Sequence, residues 1–151
     1  MRILMVCLGN ICRSPMAEGI LKYKVKQNGL DWLVESAGTE SYHVGEHPHK
    51  LAQKVCLKNG IDISKKKARK FTSSDFVLYD KIYVMAEDVY ENVERIGGRN
   101  ADVKKVDYFL NELHPGDNET VPDPYYGNEF GFVVVYDMIN KVCDAIIEKY
   151  K

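Results

Sequence analysis

The segment RILMVCLGNICRSP, residues 2–15, joins an apolar run to a short loop and a proline, and it decides the fold. Residues 2–6 are apolar after Arg2, as expected for a central strand that is buried on both faces. Pro15 is a favoured first residue of a helix and Ser14 a favoured N-cap, so a helix is predicted from residue 15 to about residue 27. In open α/β sheets ligands bind beyond the carboxyl ends of the strands, which is where this loop lies.

Short β-rich runs and longer amphipathic runs alternate along the rest of the chain, which indicates an α/β fold with a mainly parallel sheet. Further strands are predicted at residues 33–37, 81–85 and 103–109, and further helices at residues 49–59, 88–96 and 130–149. In the second helix Leu51, Val55 and Leu57 suggest a buried face. Residues 110–128 form a long loop, and loops of that length are often functional. Without an internal repeat or low-complexity linker, residues 1–151 are expected to form one domain.

The composition excludes several classes of protein. The chain is 45% hydrophobic and 28% charged and has a formal net charge of −1, so no global field favours nucleic acid or an anionic membrane. No stretch approaches the ~18–20 apolar residues of a membrane helix, and the first apolar run is too short for a secretory signal. Four scattered cysteines suit neither a disulfide scaffold nor a zinc site. We therefore expect a cytoplasmic protein with no metal, no cofactor, no nucleic-acid partner and no membrane insertion.

The loop after the first strand has the features of an anion site above a nucleophile. Several N–H groups of a loop that enters a helix can point at one anion, and the helix dipole adds to the attraction. Gly9 allows close approach of the backbone, and Asn10 tolerates the left-handed conformation that such a loop often needs. Cys7 would lie below the anion, where the N–H groups favour its thiolate. Because Arg13 offers a rigid fork for two phosphoryl oxygens, the loop predicts a thiolate that attacks a phosphomonoester.

Each of these residues also has an ordinary structural interpretation. Cys7 could be a small buried hydrophobe at a strand end, Arg13 a solvated surface residue, and Ser14 only an N-cap. In the catalytic interpretation Ser14 donates a hydrogen bond to the sulfur and so makes it a better leaving group. The spacing Cys-x5-Arg-Ser is moderately specific by itself, and its position at a strand–loop–helix junction favours catalysis.

Residues 7–18 (CLGNICRSPMAE) resemble the signature of the low-molecular-weight protein tyrosine phosphatases, and the likeness extends through residues 35–39 (ESAGT) to residues 121–127 (VPDPYYG). The resemblance implies a single-domain three-layer α/β fold, in which a four-stranded, mainly parallel sheet has helices on both faces and a phosphate-binding loop after the first strand. It implies metal-independent hydrolysis of protein phosphotyrosine through a phosphocysteine on Cys7, with inorganic phosphate as the product. Arg13 would bind the phosphoryl group, and Asp123 would be the general acid.

The chemistry needs an acid such as Asp123. The phenolate that leaves has a conjugate acid of pKa ~10, and a positioned acid contributes typically ~10²–10⁴-fold to the rate. Pro122 and Pro124 restrict the backbone on either side of the carboxyl group. The same carboxylate can then deprotonate the water that hydrolyses the phosphocysteine. Outside the motif, Asp123 would more simply be a turn residue.

The resemblance also implies a substrate cleft with aromatic walls. The substrate-binding residues would be the loop residues Leu8, Gly9, Asn10, Ile11, Cys12 and Ser14, with Tyr42, Tyr125 and Tyr126 as walls. A deep aromatic slot suits a phenyl phosphate and leaves phosphoserine too short to reach the thiolate. The alternative is that these tyrosines are ordinary loop residues in a chain that is 11% aromatic.

Two positions need separate expectations. Members of the family often carry a His where this chain has Lys66, and residues 65–70 are expected to form a solvated basic face or, as an alternative, to steer acidic substrates. The family counterpart of Cys12 can form a reversible disulfide with the nucleophile, which protects the latter from irreversible oxidation. The alternative for Cys12 is a packed thiol.

Three rival functions remain. An arsenate reductase of this fold would use additional cysteines downstream, but residues 81–100 contain none. A phosphoarginine phosphatase would be expected to carry Thr at the position of Ile11. A non-catalytic phospho-binding module would need the loop and Arg13 but neither Cys7 nor Asp123.

Overall fold

Four parallel strands in the order β2-β1-β3-β4 form the sheet. The computed structural model describes all 151 residues, Met1–Lys151. The strands are β1 (Arg2–Cys7), β2 (Leu33–Gly38), β3 (Lys81–Val84) and β4 (Val106–Tyr108), and the helices are α1 (Arg13–Gln27), α2 (Lys50–Lys58), α3 (Asp75–Leu78), α4 (Glu87–Gly97) and α5 (Glu129–Tyr150). The predicted class, a parallel α/β sheet with helices on both faces, is confirmed.

Strand β1 is central because its apolar run is buried on both sides. Alternate side chains of a strand point to opposite faces. Ile3, Met5 and Cys7 therefore join the larger core cluster, which contains residues of α1, α2 and α5. Leu4 and Val6 join the smaller cluster, together with residues of α3 and α4. This alternation places Cys7 at the carboxyl end of β1, on the face covered by α1.

The start of α1 differs from the prediction in a way that matters for the site. The helix begins at Arg13, its N-cap is Cys12, and no side chain caps it. The prediction that Ser14 is the N-cap is therefore wrong. The Ser14 hydroxyl lies instead beside Cys7 Sγ and accepts a hydrogen bond from Asn10. Ser14 therefore forms hydrogen bonds, as expected of a serine here, but not with the backbone of its own helix.

Two other elements also depart from expectation. In α2 the buried residues are Ala52, Val55 and Cys56, while Leu57 is 64% exposed, so the predicted contribution of Leu57 to the buried face is wrong. Strand β4 has three residues and follows a 3₁₀ turn at Val103–Lys105, where a longer strand was expected. No helix is both long enough and apolar enough to cross a membrane.

Candidate active site

A cleft of about 220 Å³ lies at the carboxyl end of β1. Ten of the twelve residues predicted for the site line this cleft: Cys7, Leu8, Gly9, Ile11, Cys12, Arg13, Tyr42, Asp123, Tyr125 and Tyr126. The other two, Asn10 and Ser14, are buried behind the loop. His43 also lines the cleft, although it was not among the predicted site residues.

The sulfur of Cys7 lies at the floor of the cleft with two polar neighbours. Its distance to Ser14 Oγ is 2.9 Å, and the backbone N–H of Asn10 donates to it at 3.3 Å. Hydrogen bonds to a sulfur favour the thiolate over the thiol. The arrangement therefore suits a nucleophile.

The loop presents N–H groups on one side and carbonyls on the other. The carbonyls of Cys7, Leu8 and Ile11 accept hydrogen bonds from Thr39, Glu40 and His49, respectively. The backbone N–H groups of Leu8, Gly9, Ile11 and Cys12, in contrast, donate to no acceptor within the chain. Buried N–H groups almost always have a partner, so this set indicates a site for an anion.

Asn10 and Gly38 make this loop geometry possible. Asn10 has φ 59°, the left-handed conformation that the sequence led us to expect. At the end of β2, a Cβ atom on Gly38 would lie 2.8 Å from the carbonyl oxygen of Leu8 and 3.0 Å from the nitrogen of Asn10. Only glycine fits so close to another backbone. Sequence reasoning quoted Gly38 within a motif without finding this role.

Arg13 joins the loop to the segment that carries Asp123. The guanidinium is buried, and its Nη1 donates to the carbonyl of Val121 at 3.0 Å. Its Nη2 lies 3.6 Å from Asp123 Oδ2. The Asp123 carboxylate also accepts the N–H of Tyr125 at 3.1 Å. The Cys7 sulfur, the guanidinium and the Asp123 carboxylate therefore meet in one cleft, where the buried guanidinium favours an anion over a metal ion.

The comparisons with known proteins agree with this geometry. The family model described as Low molecular weight phosphotyrosine protein phosphatase matches residues 2–151. The chain belongs to this family. A low molecular weight phosphotyrosine protein phosphatase of Schizosaccharomyces pombe is 40% identical over 134 residues, which span 87% of this chain and 85% of that protein.

Solved structures extend the likeness to the whole fold. A protein tyrosine phosphatase from Entamoeba histolytica has a TM-score of 0.89 at 36% identity, with 99% of this chain and 96% of that chain covered. DARP, a Drosophila arginine phosphatase, has a TM-score of 0.92 at 31% identity, with 100% and 98% covered. The predicted resemblance is confirmed, and family membership makes this chain a phosphatase.

Three tyrosines, Tyr42, Tyr125 and Tyr126, line the cleft of this low molecular weight phosphatase, and their role as walls for a substrate stays a prediction. The ring of Tyr125 lies close to three other rings. Its centroid is 6.0 Å from that of His43, 5.7 Å from that of His49 and 4.9 Å from that of Tyr126. Tyr42 and Tyr126 are exposed, the latter by 92%. These two rings therefore line the cleft while remaining largely exposed to water.

The other three cysteines have surroundings that disfavour a thiolate. Burial raises the pKa of Cys12, and the neighbouring Cys7 and Asp123 add to this effect. Burial also raises the pKa of Cys143, and that of Cys56 to about 12. All four cysteines are free thiols. The disulfide between Cys7 and Cys12 that the resemblance implies stays a prediction.

Residues 65–70 were expected to form a solvated basic face, and for two of them this is wrong. Lys66 is largely buried and lies 3.2 Å from Glu18 Oε1. Arg69 makes two hydrogen bonds of 3.0 Å to the buried carboxylate of Asp75. Lys65 and Lys67 are exposed and make no ion pair, which agrees with the expected solvated basic face.

Proposed function

We propose that this phosphatase hydrolyses phosphotyrosine in proteins or peptides, without a metal, through a phosphocysteine formed on Cys7. Residues 1–151 would act as one catalytic domain. The observation that carries the proposal is the sulfur of Cys7, which accepts hydrogen bonds at the floor of a cleft whose N–H groups lack acceptors. No other side chain in the cleft combines nucleophilicity with this position.

In the first step the Cys7 thiolate attacks phosphorus, and the bond from phosphorus to the phenolic oxygen breaks. Arg13 releases the Val121 carbonyl and binds two phosphoryl oxygens in a bidentate manner. The loop N–H groups stabilise the charge on these oxygens in the transition state. Asp123 gives its proton to the leaving oxygen, so tyrosine departs as a neutral phenol.

In the second step a water molecule attacks the phosphorus of the phosphocysteine. Asp123, now a carboxylate, takes a proton from this water, and the sulfur–phosphorus bond breaks. Ser14 donates a hydrogen bond to the departing sulfur, which leaves as a thiolate. Inorganic phosphate is released, and Cys7 and Asp123 return to their starting states.

The substrate class follows from the depth and the walls of the cleft. The nearly buried Cys7 lies in the cleft together with the more exposed Tyr42, Tyr125 and Tyr126. A phenyl ring packs well between aromatic side chains and places its phosphate at the floor, whereas a serine phosphate is shorter. A reducing compartment such as the cytoplasm belongs to the proposal, because the nucleophile must stay a free thiol.

A phosphoarginine phosphatase is the second candidate. It is favoured by the similarity to DARP, at a TM-score of 0.92. The chemistry differs in that a phosphorus–nitrogen bond breaks. Ile11 disfavours a phosphoarginine phosphatase, because phosphoarginine enzymes of this fold are expected to carry Thr at this position.

A panel of phosphopeptides tests the proposal. Peptides of one sequence that carry phosphotyrosine, phosphoserine or phosphoarginine are compared by phosphate release in EDTA, at several pH values. We expect kcat/KM for phosphotyrosine to exceed the other two by at least about tenfold. Rapid acid quench and mass spectrometry should find phosphate on the peptide that contains Cys7.

Each rival predicts a different outcome of this panel or of two companion assays, the turnover of para-nitrophenyl phosphate and the reduction of arsenate. Faster release from phosphoarginine would establish the second candidate in place of the first. A non-catalytic binding module would release no phosphate, even from para-nitrophenyl phosphate. Loss of activity in EDTA would contradict the metal-independent mechanism, and reduction of arsenate would identify an arsenate reductase.

A further inference from the structure

We propose that the exposed apolar residues at the start of α5, Phe130, Val133 and Val134, are a docking surface for an apolar side chain of the substrate. That side chain would lie a few residues away from the phosphotyrosine. The inference deepens the proposed function and rests on it, because it assumes that a phosphotyrosine peptide occupies the cleft. We call the three residues the α5 ridge. None of them lines the cleft itself.

The α5 ridge lies on the face of α5 that points away from the core. Its residues are spaced by three and four positions, so they are neighbours on one side of the helix. Phe130 is 73% exposed, while Val133 and Val134 are 38% and 41% exposed. Phe132 and Val135, which belong to the same stretch, are buried on the opposite side. Three apolar side chains are therefore exposed to water next to one another.

The apolar character of this face ends within the first half of α5. Farther along the helix the same face carries the exposed residues Asp137, Lys141, Asp144 and Glu148. A helix face that only borders water is normally polar, as this second half is. The exposed apolar residues are thus confined to the end of α5 that follows the cleft segment. A group of this kind is typical of an interaction site.

The start of α5 is packed against the residues that form the cleft. The ring centroid of Phe132 lies 4.8 Å from that of His49. His49 lies 5.7 Å, between ring centroids, from Tyr125, which lines the cleft. A Cβ atom on Gly131 would lie 3.9 Å from Cβ of Pro124, so the first turn of α5 borders the cleft segment. These contacts fix the α5 ridge relative to the cleft.

The distance from the cleft to the α5 ridge suits a short peptide. Tyr126 lines the cleft and is 92% exposed, and Phe130 follows it by four residues. A chain spans at most about 3.6 Å per residue, so the Cα atoms of these two residues are no more than about 14 Å apart. Roughly four extended residues of a substrate cover that distance. A bound phosphopeptide can therefore place a side chain three to five residues from its phosphotyrosine against Phe130.

The size and the charge of this surface favour a substrate segment over a second copy or a membrane. A whole aromatic side chain offers about 150–250 Å², so the α5 ridge exposes roughly 200–300 Å². Each partner of a stable dimer contributes about 800 Å². Asp137 and Asp144 on the same helix face would repel an anionic membrane. One or two apolar side chains of a peptide match the area that is exposed.

Contact with the α5 ridge should change substrate binding and leave the chemical step unaffected. Phe130 and the two valines do not line the cleft, so they would contact the substrate equally before and during the reaction. An interaction of this kind lowers KM and leaves kcat unchanged. The phosphatase would therefore prefer phosphotyrosine sites that carry an apolar residue on one side.

A leucine scan of the substrate tests the preference. Phosphotyrosine peptides of one glycine–serine sequence carry a single leucine at each of the five positions before and after the phosphotyrosine, and KM and kcat are measured for each. We expect leucine three to five residues away on one side to lower KM roughly three- to tenfold, with little change in kcat. Leucine on the other side should have little effect. Equal KM values across the set would overturn the proposal.

Substitutions in the α5 ridge test whether it causes the preference. The leucine peptide with the lowest KM is compared with its serine counterpart in Phe130→Ser and in Val134→Thr. The ratio of the two KM values should fall to about one in Phe130→Ser, and part of the way in Val134→Thr. Val77→Ser replaces a 71% exposed valine on α3 and is the matched control, which should keep the preference.

Two outcomes of this comparison would contradict the proposal. One is a leucine preference that survives when Phe130→Ser and Val134→Thr are combined. The other is an equal loss of turnover of para-nitrophenyl phosphate, which is too small to reach Phe130. That loss would show that Phe130 supports the structure of the cleft instead of contacting the substrate.

Other occupants of the α5 ridge would give different results. Analytical ultracentrifugation of the unmodified chain and of Phe130→Ser detects a second copy. Co-sedimentation with vesicles of phosphatidylcholine and phosphatidylserine detects a membrane. A dimer or a vesicle-bound form that is lost in Phe130→Ser, in a chain with no leucine preference, would overturn the proposal.

The leucine scan also separates this inference from the proposed function. If KM does not depend on the leucine, the docking surface is eliminated, while turnover of the phosphotyrosine peptides still supports the proposed function. If the phosphopeptide panel instead establishes phosphoarginine as the substrate, the same scan around phosphoarginine decides whether the α5 ridge selects neighbouring residues.

Discussion

The loop that carries Cys7 and the segment that carries Asp123 face each other across the cleft but are held in different ways. Asn10 and Ser14 are buried, and the side chain of Asn10 donates to Ser14 Oγ. The sulfur of Cys7 is contacted by Ser14 Oγ and by the backbone N–H of Asn10. Asp123 is 40% exposed, and its polar contacts are with Arg13 and with the N–H of Tyr125. Its segment is tied to the sheet through Val121, whose N–H donates to the Met85 carbonyl at 2.8 Å.

This difference matches what the two halves of the proposed reaction require. Stabilisation of charge on a phosphoryl group needs N–H groups that do not reorganise, and buried hydrogen bonds keep them in place. In the proposed reaction Asp123 gives its proton to the leaving oxygen and regains one from the attacking water, and its partial exposure leaves room for that water. Four predictions test this contrast, beginning with the largest expected effect.

Replacement of the Cys7 sulfur should abolish the reaction proposed for the buried loop after β1. Cys7→Ser is expected to lower kcat by at least about 10³-fold, because a serine hydroxyl in this loop is a far weaker nucleophile. Turnover of para-nitrophenyl phosphate measures the effect. Cys56→Ser, a buried thiol in α2, is the matched control and should retain activity. Comparable turnover by Cys7→Ser and the unmodified chain would eliminate the phosphocysteine mechanism.

The effect on kcat of removing the Asp123 carboxyl group should depend on the leaving group of the substrate. Asp123→Asn is expected to lower kcat for phosphotyrosine by ~10²–10⁴-fold, and by much less for activated aryl phosphates, which need little protonation. The measurement is kcat across aryl phosphates of graded leaving-group pKa. Asp117→Asn, an exposed residue of the same segment, should leave all rates unchanged. Equal losses on every substrate would count against Asp123 as the acid.

Arg13 lies between the Cys7 loop and the segment that carries Asp123. The contribution of its guanidinium geometry to phosphate binding can be tested without a change in charge. Arg13→Lys is expected to lower kcat/KM about 10–10²-fold, because an ammonium cannot replace the bidentate fork. Its contact with the Val121 carbonyl should also weaken. Steady-state kinetics with phosphotyrosine peptides give the effect, and Arg99→Lys on the surface is the control. Full activity of Arg13→Lys would mean that only the charge is needed.

The smallest effect is expected at the mouth of the cleft. Tyr126→Ala should raise KM for phosphotyrosine peptides roughly two- to tenfold with little change in kcat, since one aromatic contact is lost. Tyr126→Phe keeps the ring and should behave like the unmodified chain. An unchanged KM in Tyr126→Ala would remove this residue from the wall.

Local patterns predicted the features that depend on neighbouring residues. The apolar run before Cys7 predicted a buried strand, and Asn10 was recognised as a residue that tolerates a positive φ. The order strand, loop and helix placed Cys7 and Arg13 at one end of the sheet. Boundaries were less certain: Ser14 was predicted to be the N-cap of α1, which is wrong, whereas its hydroxyl lies beside the sulfur, as the catalytic interpretation of Ser14 had expected.

Contacts between distant segments had no local signal. Gly38 must be glycine because the backbone of Leu8 approaches it, and a single sequence does not show this approach. In the sequence Lys66 is indistinguishable from several solvated lysines. Only the structure shows that it lies beside Glu18 of α1, the helix that follows the loop.

The sequence by itself determined the α/β class, the anion-binding character of the loop after β1 and the family, because these follow from short-range periodicity and from one contiguous motif. Only the tertiary structure decided which way the hydroxyl of Ser14 points, which lysine is buried and how Asp123 reaches the cleft. Those outcomes depend on the order of the strands and on how distant residues pack, and neither is encoded in the spacing of neighbours along the chain.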